Sequence, residues 1–299
     1  MAGSTWGPSA RNTHLLYTAT IRPAILYGAQ EWSIRLAGGK GTKLKALENT
    51  QSACLRQVTG GYKRTPRAAL ERETRTTPLD LYITAITDQR ALNIADHPVE
   101  NKIQNVADAV WRSMRGACHT PRPGTLRERV RAKAKKEPKI RQNLNQAWKE
   151  RWEAKASKYR GPRPPTTWIT PWKQDCRKLY AGLSKAEATA LFLMRTEVIG
   201  LNAWLASVQV PGVEALCPCG EAAQTVRHTI LHCTRYERLH LLEQCGTERL
   251  DEILSRPASA AYAARWLVAT GALEQFKVAR EMREEDTALF APFTNSEEW

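Results

Sequence analysis

Apolar residues in this chain recur at steps of three and four in almost every patterned stretch, and no run of alternating polar and apolar residues marks a strand. That periodicity places one apolar face on each helix and predicts a mainly α fold. From Lys43 to Val58 the residues Leu44, Leu47, Cys54, Leu55 and Val58 line such a face, and Gly60-Gly61 stops the helix. Thr65-Pro66 and Thr77-Pro78 each read as a threonine cap followed by proline in the first turn of a new helix. A further helix is expected from Val99 to Met114, entered after the turn at His97-Pro98. Arg127 to Lys136 and Ile140 to Tyr159 read as two basic helices, because Pro138 removes a backbone donor between them. Ser184-Lys185-Ala186-Glu187 is a capping box that opens a helix running to about Val198. Ala258 to Leu267 and Leu273 to Met282 predict two more, followed by a frayed tail.

The clearest linker is Gly161-Pro162-Arg163-Pro164-Pro165-Thr166-Thr167, which its prolines make stiff and extended. Four regions follow: a helical bundle over 1–96, a basic helical connector over 97–182 that includes the linker at 161–167, a cysteine-containing region over 183–245 and a helical tail over 246–299. No apolar run is long enough to span a membrane, and the first residues lack the basic-then-apolar pattern of a secretory signal. The expectation is a nuclear or cytoplasmic protein that is not secreted and has no membrane partner. Seven cysteines, an odd number, then point to reduced thiols and a metal site more than to a disulfide framework.

Charge is concentrated in one place. Trp111 to Lys185 holds 21 Lys and Arg against 5 Asp and Glu, more than the whole net charge of +15. A localised positive stripe between near-neutral flanks is the footprint of phosphate-backbone binding, with a solvated helix face as the plainer alternative. Arg127, Arg129, Arg131, Lys133, Lys135, Lys136, Lys139 and Arg141 are the candidate contacts for RNA or DNA. Trp148, Trp152, Trp168 and Trp172 interleave with this segment; core anchoring is favoured over base stacking for them.

Cys217-Pro218-Cys219-Gly220, then His228 and Cys233, has the spacing C-x-C-x8-H-x4-C. Two cysteines on a tight turn supply two ligands, and a short helix capped by Thr225 supplies the others. A closed set of four predicts a structural Zn2+ and leaves no open catalytic position. His232 and Cys245 are possible substitute ligands, of which His232 is left out on geometry, and Cys54, Cys118 and Cys176 have no partner spacing. No catalytic residues are assigned. Asp80, Asp88, Asp96 and Asp108 are scattered along helices as solvated positions, and Gly38-Gly39-Lys40-Gly41 lacks the rest of a phosphate loop.

Several blocks together resemble one family. Ser4-Thr5-Trp6-Gly7-Pro8-Ser9, then Leu16 to Ala29 with Trp32, is similar to the region just after the polymerase palm of non-LTR (LINE-type) retrotransposon reverse transcriptases, fungal ones in particular. Gln51 with Cys54 to Lys63, Thr65-Pro66, Leu70-Glu71 and Pro78-Leu79 continue it as a thumb and connection. Met194-Arg195-Thr196, Ile199 to Asn202, Leu205 and the Cys217/Cys219/His228/Cys233 set resemble the C-terminal zinc-knuckle region of the same polyproteins. Glu197-Val198 departs from the family, which usually has a glycine and then a basic residue or His there. A second departure is the short basic stretch where many members carry an RNase H domain. The resemblance implies a nucleic-acid-holding piece that lacks the polymerase active site, is not an enzyme on its own, and works with upstream reverse-transcriptase domains in trans. An unrecognised metal-dependent nuclease or polymerase, and an inert relic or protein-interaction domain, are the alternatives.

Overall fold

The computed structural model describes residue 3 and residues 5–29, 42–96, 126–161 and 163–282. The expected helix at 99–114, His97, Cys118, Asp108, the 38–41 glycine turn, Trp32 and the tail lie outside the described residues. Described elements, in chain order, are α1 (Ala10–Leu16), a π-helical turn (Tyr17–Ile21), α2 (Arg22–Ile25), α3 (Thr42–Thr59), α4 (Arg67–Thr74), α5 (Leu79–Asp96), α6 (Leu126–Ala156), α7 (Thr166–Ile169), a 3-10 turn (Cys176–Tyr180), α8 (Lys185–Thr196), α9 (Asn202–Ser207), α10 (Val226–Leu231), α11 (Leu239–Cys245), α12 (Leu250–Ile253), α13 (Pro257–Ala269) and a 3-10 turn (Glu274–Phe276). The fold is mainly α, with no strand among the described residues. No described helix is long and apolar enough to cross a membrane.

The chain forms two compact units that interleave along the sequence, whereas the four expected regions follow chain order. The first unit comprises Met1–Leu16, Ala53–Thr76 and Gly161–Trp299; the second comprises Tyr17–Ser52 and Thr77–Arg160. The proline-rich segment begins where the second unit ends, but it is not a free linker throughout. Thr166 and Thr167 are buried, because α7 starts inside that segment and packs in the first unit.

In the second unit Leu26, Ala29, Leu79 and Ile83 form a core against which Leu44, Leu47, Tyr82 and Ile86 pack. Polar ties surround it. The Tyr17 hydroxyl donates to Gln51 Oε1 at 2.8 Å, and the Arg22 guanidinium donates to the Thr77 carbonyl and lies 3.8 Å from the Tyr82 ring centroid. Helix α6 packs on α5 through residues four apart, of which Ile140, Trp148 and Trp152 are buried and Leu144 half-buried. The break expected at Pro138 does not occur: α6 runs through it as one helix of 31 residues. An interior proline costs ~3 kcal/mol. Each large apolar side chain buried in that stripe contributes about 1.5–3 kcal/mol, so the packing outweighs the missing hydrogen bond. Asp80 also differs from expectation, since Arg151 donates to both its carboxylate oxygens at 2.7 and 2.6 Å instead of leaving it on a solvated face. Burial would raise the Asp80 pKa, but Arg151 outweighs it and holds the carboxyl low.

In the first unit every residue of α8 is buried. Its capping box forms as its sequence requires, with Ser184 accepting from the Glu187 amide and Glu187 accepting from the Ser184 amide. Lys185, just inside that end, donates to the carbonyls of Gln57 and Val58 at 2.6 and 2.8 Å, placing a cation on the last turn of α3. Burial lowers the Lys185 pKa to about 8. Gly60 ends α3 at φ +70°, and a Cβ there would come within 2.2 Å of Thr189 Oγ1 on α8. Only glycine lets the two elements meet this closely. The threonine caps are displaced by one residue. Pro66 occupies the N-cap of α4 with no side-chain cap, and the Pro78 carbonyl accepts the first bond of α5 from Tyr82.

At the centre of the first unit lies a fully buried ion pair. Arg195 on α8 donates from Nε and Nη2 to the two Glu73 oxygens on α4 at 3.0 and 2.9 Å, and both side chains are 0% exposed. Thr167 and Tyr180 donate to the same carboxylate at 2.7 and 2.6 Å. The remaining guanidinium donors reach Thr170 Oγ1 and the Leu254 carbonyl. Burial pushes the Glu73 carboxyl upward, but the Arg195 charge and the hydrogen bonds together hold it below its ordinary range. Helix α8 ends two residues sooner than the expected Val198, because Glu197 turns left-handed at φ 55°, ψ 15°.

Three stability outcomes follow from this packing. Glu73→Gln leaves a buried guanidinium without its counter-charge and is expected to cost about 3–5 kcal/mol in urea unfolding, whereas Glu73→Gln combined with Arg195→Met should recover part of that stability. Because the Glu73 pKa is lower folded than unfolded, its contribution is present above its ordinary value of 4.5 and disappears as pH falls through the folded value. Acid titration of the wild type should therefore show a transition absent from the double variant. Glu197→Gly removes a left-handed strain of roughly 1–2 kcal/mol, partly offset by the greater chain entropy of glycine, and should raise the melting temperature by a few degrees.

Candidate metal centre

The four sequence-predicted ligands come together on one hairpin and one short helix of the first unit. The Cys217 amide donates to Ala222 O and the Gly220 amide to Cys217 O, both at 2.8 Å, folding Cys217 and Cys219 into a tight turn. Gly220 adopts φ +81° at its apex, which favours glycine. An antiparallel bridge between Leu216 and Ala223 closes the base of the hairpin. Thr225 then caps α10, its hydroxyl accepting from the His228 amide at 3.1 Å. One turn of α10 carries His228, and Cys233 follows where its amide bonds back to His228 O at 2.7 Å.

The donor atoms of Cys217, Cys219, His228 and Cys233 all lie within 4.8 Å of one another, so this cluster could hold a metal ion. Cys217 Sγ and Cys233 Sγ are 3.7 Å apart, and Cys219 Sγ is 3.2 Å from His228 Nε2. A tetrahedral centre with metal–sulfur bonds of about 2.3 Å needs sulfur–sulfur edges of about 3.8 Å, which the first pair meets. Two thiols of the cluster are shifted in opposite directions. A backbone hydrogen bond from Glu221, first among its causes, lowers the Cys219 pKa, whereas burial raises Cys217 to about 11. Burial also lowers the His228 pKa, favouring the neutral imidazole that ligates metals. His232 is exposed and does not join the cluster. Cys176 and Cys245 are buried elsewhere, and burial pushes the Cys176 thiol up to about 12.

A residue that spacing gave no reason to single out supports this site. Gln224 is buried, its side-chain oxygen accepts from the Asn202 amide at 2.9 Å, and its carbonyl accepts from Ala203. Asn202 Nδ2 in turn donates to Leu216 O at 2.9 Å. The hairpin is thereby fastened to the start of α9.

The other candidate positions lie in the second unit. Arg127, Arg129, Arg131, Lys133, Lys135 and Lys136 belong to the first half of α6, where the side chains lie outside the described residues. Lys139 and Arg141 are exposed on either side of buried Ile140. Trp148 and Trp152, each 4% exposed, serve the core and present no ring for stacking. In the first unit Trp168 and Trp172 are half-buried, and Arg72 and Arg75 place their guanidinium carbons 5.2 and 5.1 Å from the Trp172 ring centroid.

No family model matches the chain, and neither does a curated protein or a solved structure.

Reduced protein is expected to take up one divalent ion per chain, measured by native mass spectrometry. Cys217→Ser and Cys233→Ser should each abolish uptake, while Cys54→Ser and Cys245→Ser, outside the cluster, should leave it intact.

Proposed function

We propose that this chain is a nucleic-acid-binding segment of a non-LTR retrotransposon reverse transcriptase, holding template-primer or target nucleic acid without itself carrying the polymerase site. The observation that carries this reading is the charge placement. Residues 127–141 hold eight Lys and Arg against Glu128 and Glu137, and all of them fall on the single continuous helix α6. The helix is anchored by its own apolar stripe and by Arg151 with Asp80. A rigid rod that concentrates positive charge suits the phosphate backbone, whose binding releases condensed counterions.

The metal cluster supports the same reading, and we assign it to a structural Zn2+. Three thiolates and an imidazole in a closed set match the preference of zinc and leave no open position for catalysis. Zinc would fix the hairpin and α10 as one unit; no chemical step on substrate is assigned to it. The backbone at Glu197 adds a further support, since its left-handed conformation suits the glycine that the resemblance expects at that position. RNA or DNA is the partner.

Charge reversal at Lys139, Arg141 and two further α6 cations, Arg131 and Lys135, is expected to weaken binding of a labelled duplex by at least a hundredfold at 100 mM salt. The slope of log affinity against log salt should fall by roughly 0.9 for each phosphate that the variant no longer neutralises. Unchanged affinity and slope in that variant would overturn the reading.

A further inference from the structure

The loop that joins α3 to α4 carries a second concentration of positive charge, in the first unit and separate from α6. Between Ala53 and Arg67 the chain has Arg56, Lys63, Arg64 and Arg67 and no Asp or Glu. The backbone gathers them. Arg56 donates from Nε to the Tyr62 carbonyl at 3.3 Å and from Nη2 to the Lys63 carbonyl at 3.1 Å, so its guanidinium sits beneath the loop that bears Lys63 and Arg64. Lys63 and Arg64 are exposed and have no ion-pair partner among the described residues. Partial burial, and then repulsion from Arg67, lower the Arg56 pKa, which places the two guanidinium groups within each other's field.

An aromatic pair adjoins the same loop. The ring of Tyr62, next in sequence to Lys63, lies 5.3 Å from that of Trp204 on α9, tilted by 37°. Tyr62 is fixed at its far end, where its hydroxyl donates to Gln275. Helix α9 buries none of its six residues, and Trp204 is half-buried on it. Its position is set by Gln224 and Leu216 of the metal hairpin through Asn202 and Ala203. A loop of exposed cations whose tyrosine packs on a half-buried indole offers the combination that recognises phosphates and an unpaired base together.

We propose that the 56–67 loop and Trp204 form a contact site for single-stranded nucleic acid, with Lys63, Arg64 and Arg56 on the phosphates and Trp204 against a base. This rests on the nucleic-acid-holding role proposed above and adds a second surface with a different preference. Helix α6 offers charge, which a duplex satisfies as well as a single strand does. The loop pairs charge with a ring face, which only an unpaired base can use.

The test is fluorescence anisotropy with labelled dT20 and U20 and a blunt 20-base-pair duplex, each over a salt series, on the full chain. Lys63→Glu with Arg64→Glu should weaken single-strand binding at least tenfold and reduce its salt slope by about 1.4, two phosphates at ~0.7 each. Trp204→Ala should cost the single strand about 5- to 150-fold and leave the duplex unchanged, with Trp204→Phe retaining most of the affinity. Lys63 and Arg64 are solvent-exposed, so their double variant decides the matter even where Trp204→Ala disturbs folding. Wild-type single-strand affinity in the loop variant and in Trp204→Phe and Trp204→Ala, alongside weakened binding after charge reversal on α6, would overturn this site and leave the α6 role standing. Absence of any binding by the wild-type chain would overturn both.

Discussion

The buried pair of Glu73 and Arg195 is the interaction on which the first unit depends. It joins α4 to α8, while the same two side chains draw in Thr167 and Thr170 of α7, Tyr180 of the 3-10 turn and the carbonyl that follows α12. Segments a hundred residues apart are thus tied to one carboxylate. Two charges without solvent are costly, and a pair of this kind stabilises only when every donor and lone pair finds a partner. Here the carboxylate receives Arg195, Thr167 and Tyr180, and the guanidinium is shared among Glu73, Thr170 and Leu254. A misaligned α4 or α8 would strand a buried charge, so the network discriminates against alternative packings as well as contributing to this one.

That network was not legible in the sequence, and the reason is physical. Glu73 lies in a stretch rich in charge and Arg195 at the end of an apolar run, and a lone charged residue on a helix is ordinarily read as solvent-facing. Local signals fared better. The Ser184 capping box, the Thr225 cap and the apolar spacing of α3 depend on neighbours within a turn, and the structure forms all three. Pro138 and Asp80 failed for the opposite reason. In each case a partner far along the chain overrode a local preference: α5 beneath the stripe of α6, and Arg151 beside Asp80. The metal cluster was readable because its ligands are close in sequence, whereas the residue that fastens it to α9, Gln224, has no spacing that marks it.

Position in the first unit passes outward from the core in a short series of contacts. The hairpin of Cys217 and Cys219 is held to α9 by Gln224 and Leu216, α9 presents Trp204 to Tyr62, and Tyr62 is fastened to Gln275 after α13. None of these contacts includes a large buried apolar side chain of α9, which has no buried residue at all. A metal ion held at the hairpin would stiffen one of the anchors that set where α9 lies, and with it the ring that adjoins the basic loop.

Helix α6 poses a different energetic problem. Arg127 and Arg131, Arg129 and Lys133, Arg131 and Lys135, and Lys135 and Lys139 are all spaced four apart, so its first half repeats like charges at helical neighbours. Each such pair opposes the helix by about 0.2–0.5 kcal/mol, and the opposite-charge spacings Lys133–Glu137 and Glu137–Arg141 offset only part of that. Its second half carries the compensating features: Ile140, Trp148 and Trp152 in the core, and the bidentate Arg151. A helix propagates far more easily than it nucleates, so the packed half can carry the repelling half beyond it. Self-repulsion kept in a fold by distant packing is a standing free-energy difference between the free state and any state with polyanion bound. Bound phosphates would remove it, and the helix would then need less of its support from Trp148 and Trp152. The proposed binding of a polyanion would for that reason be linked to the stability of α6.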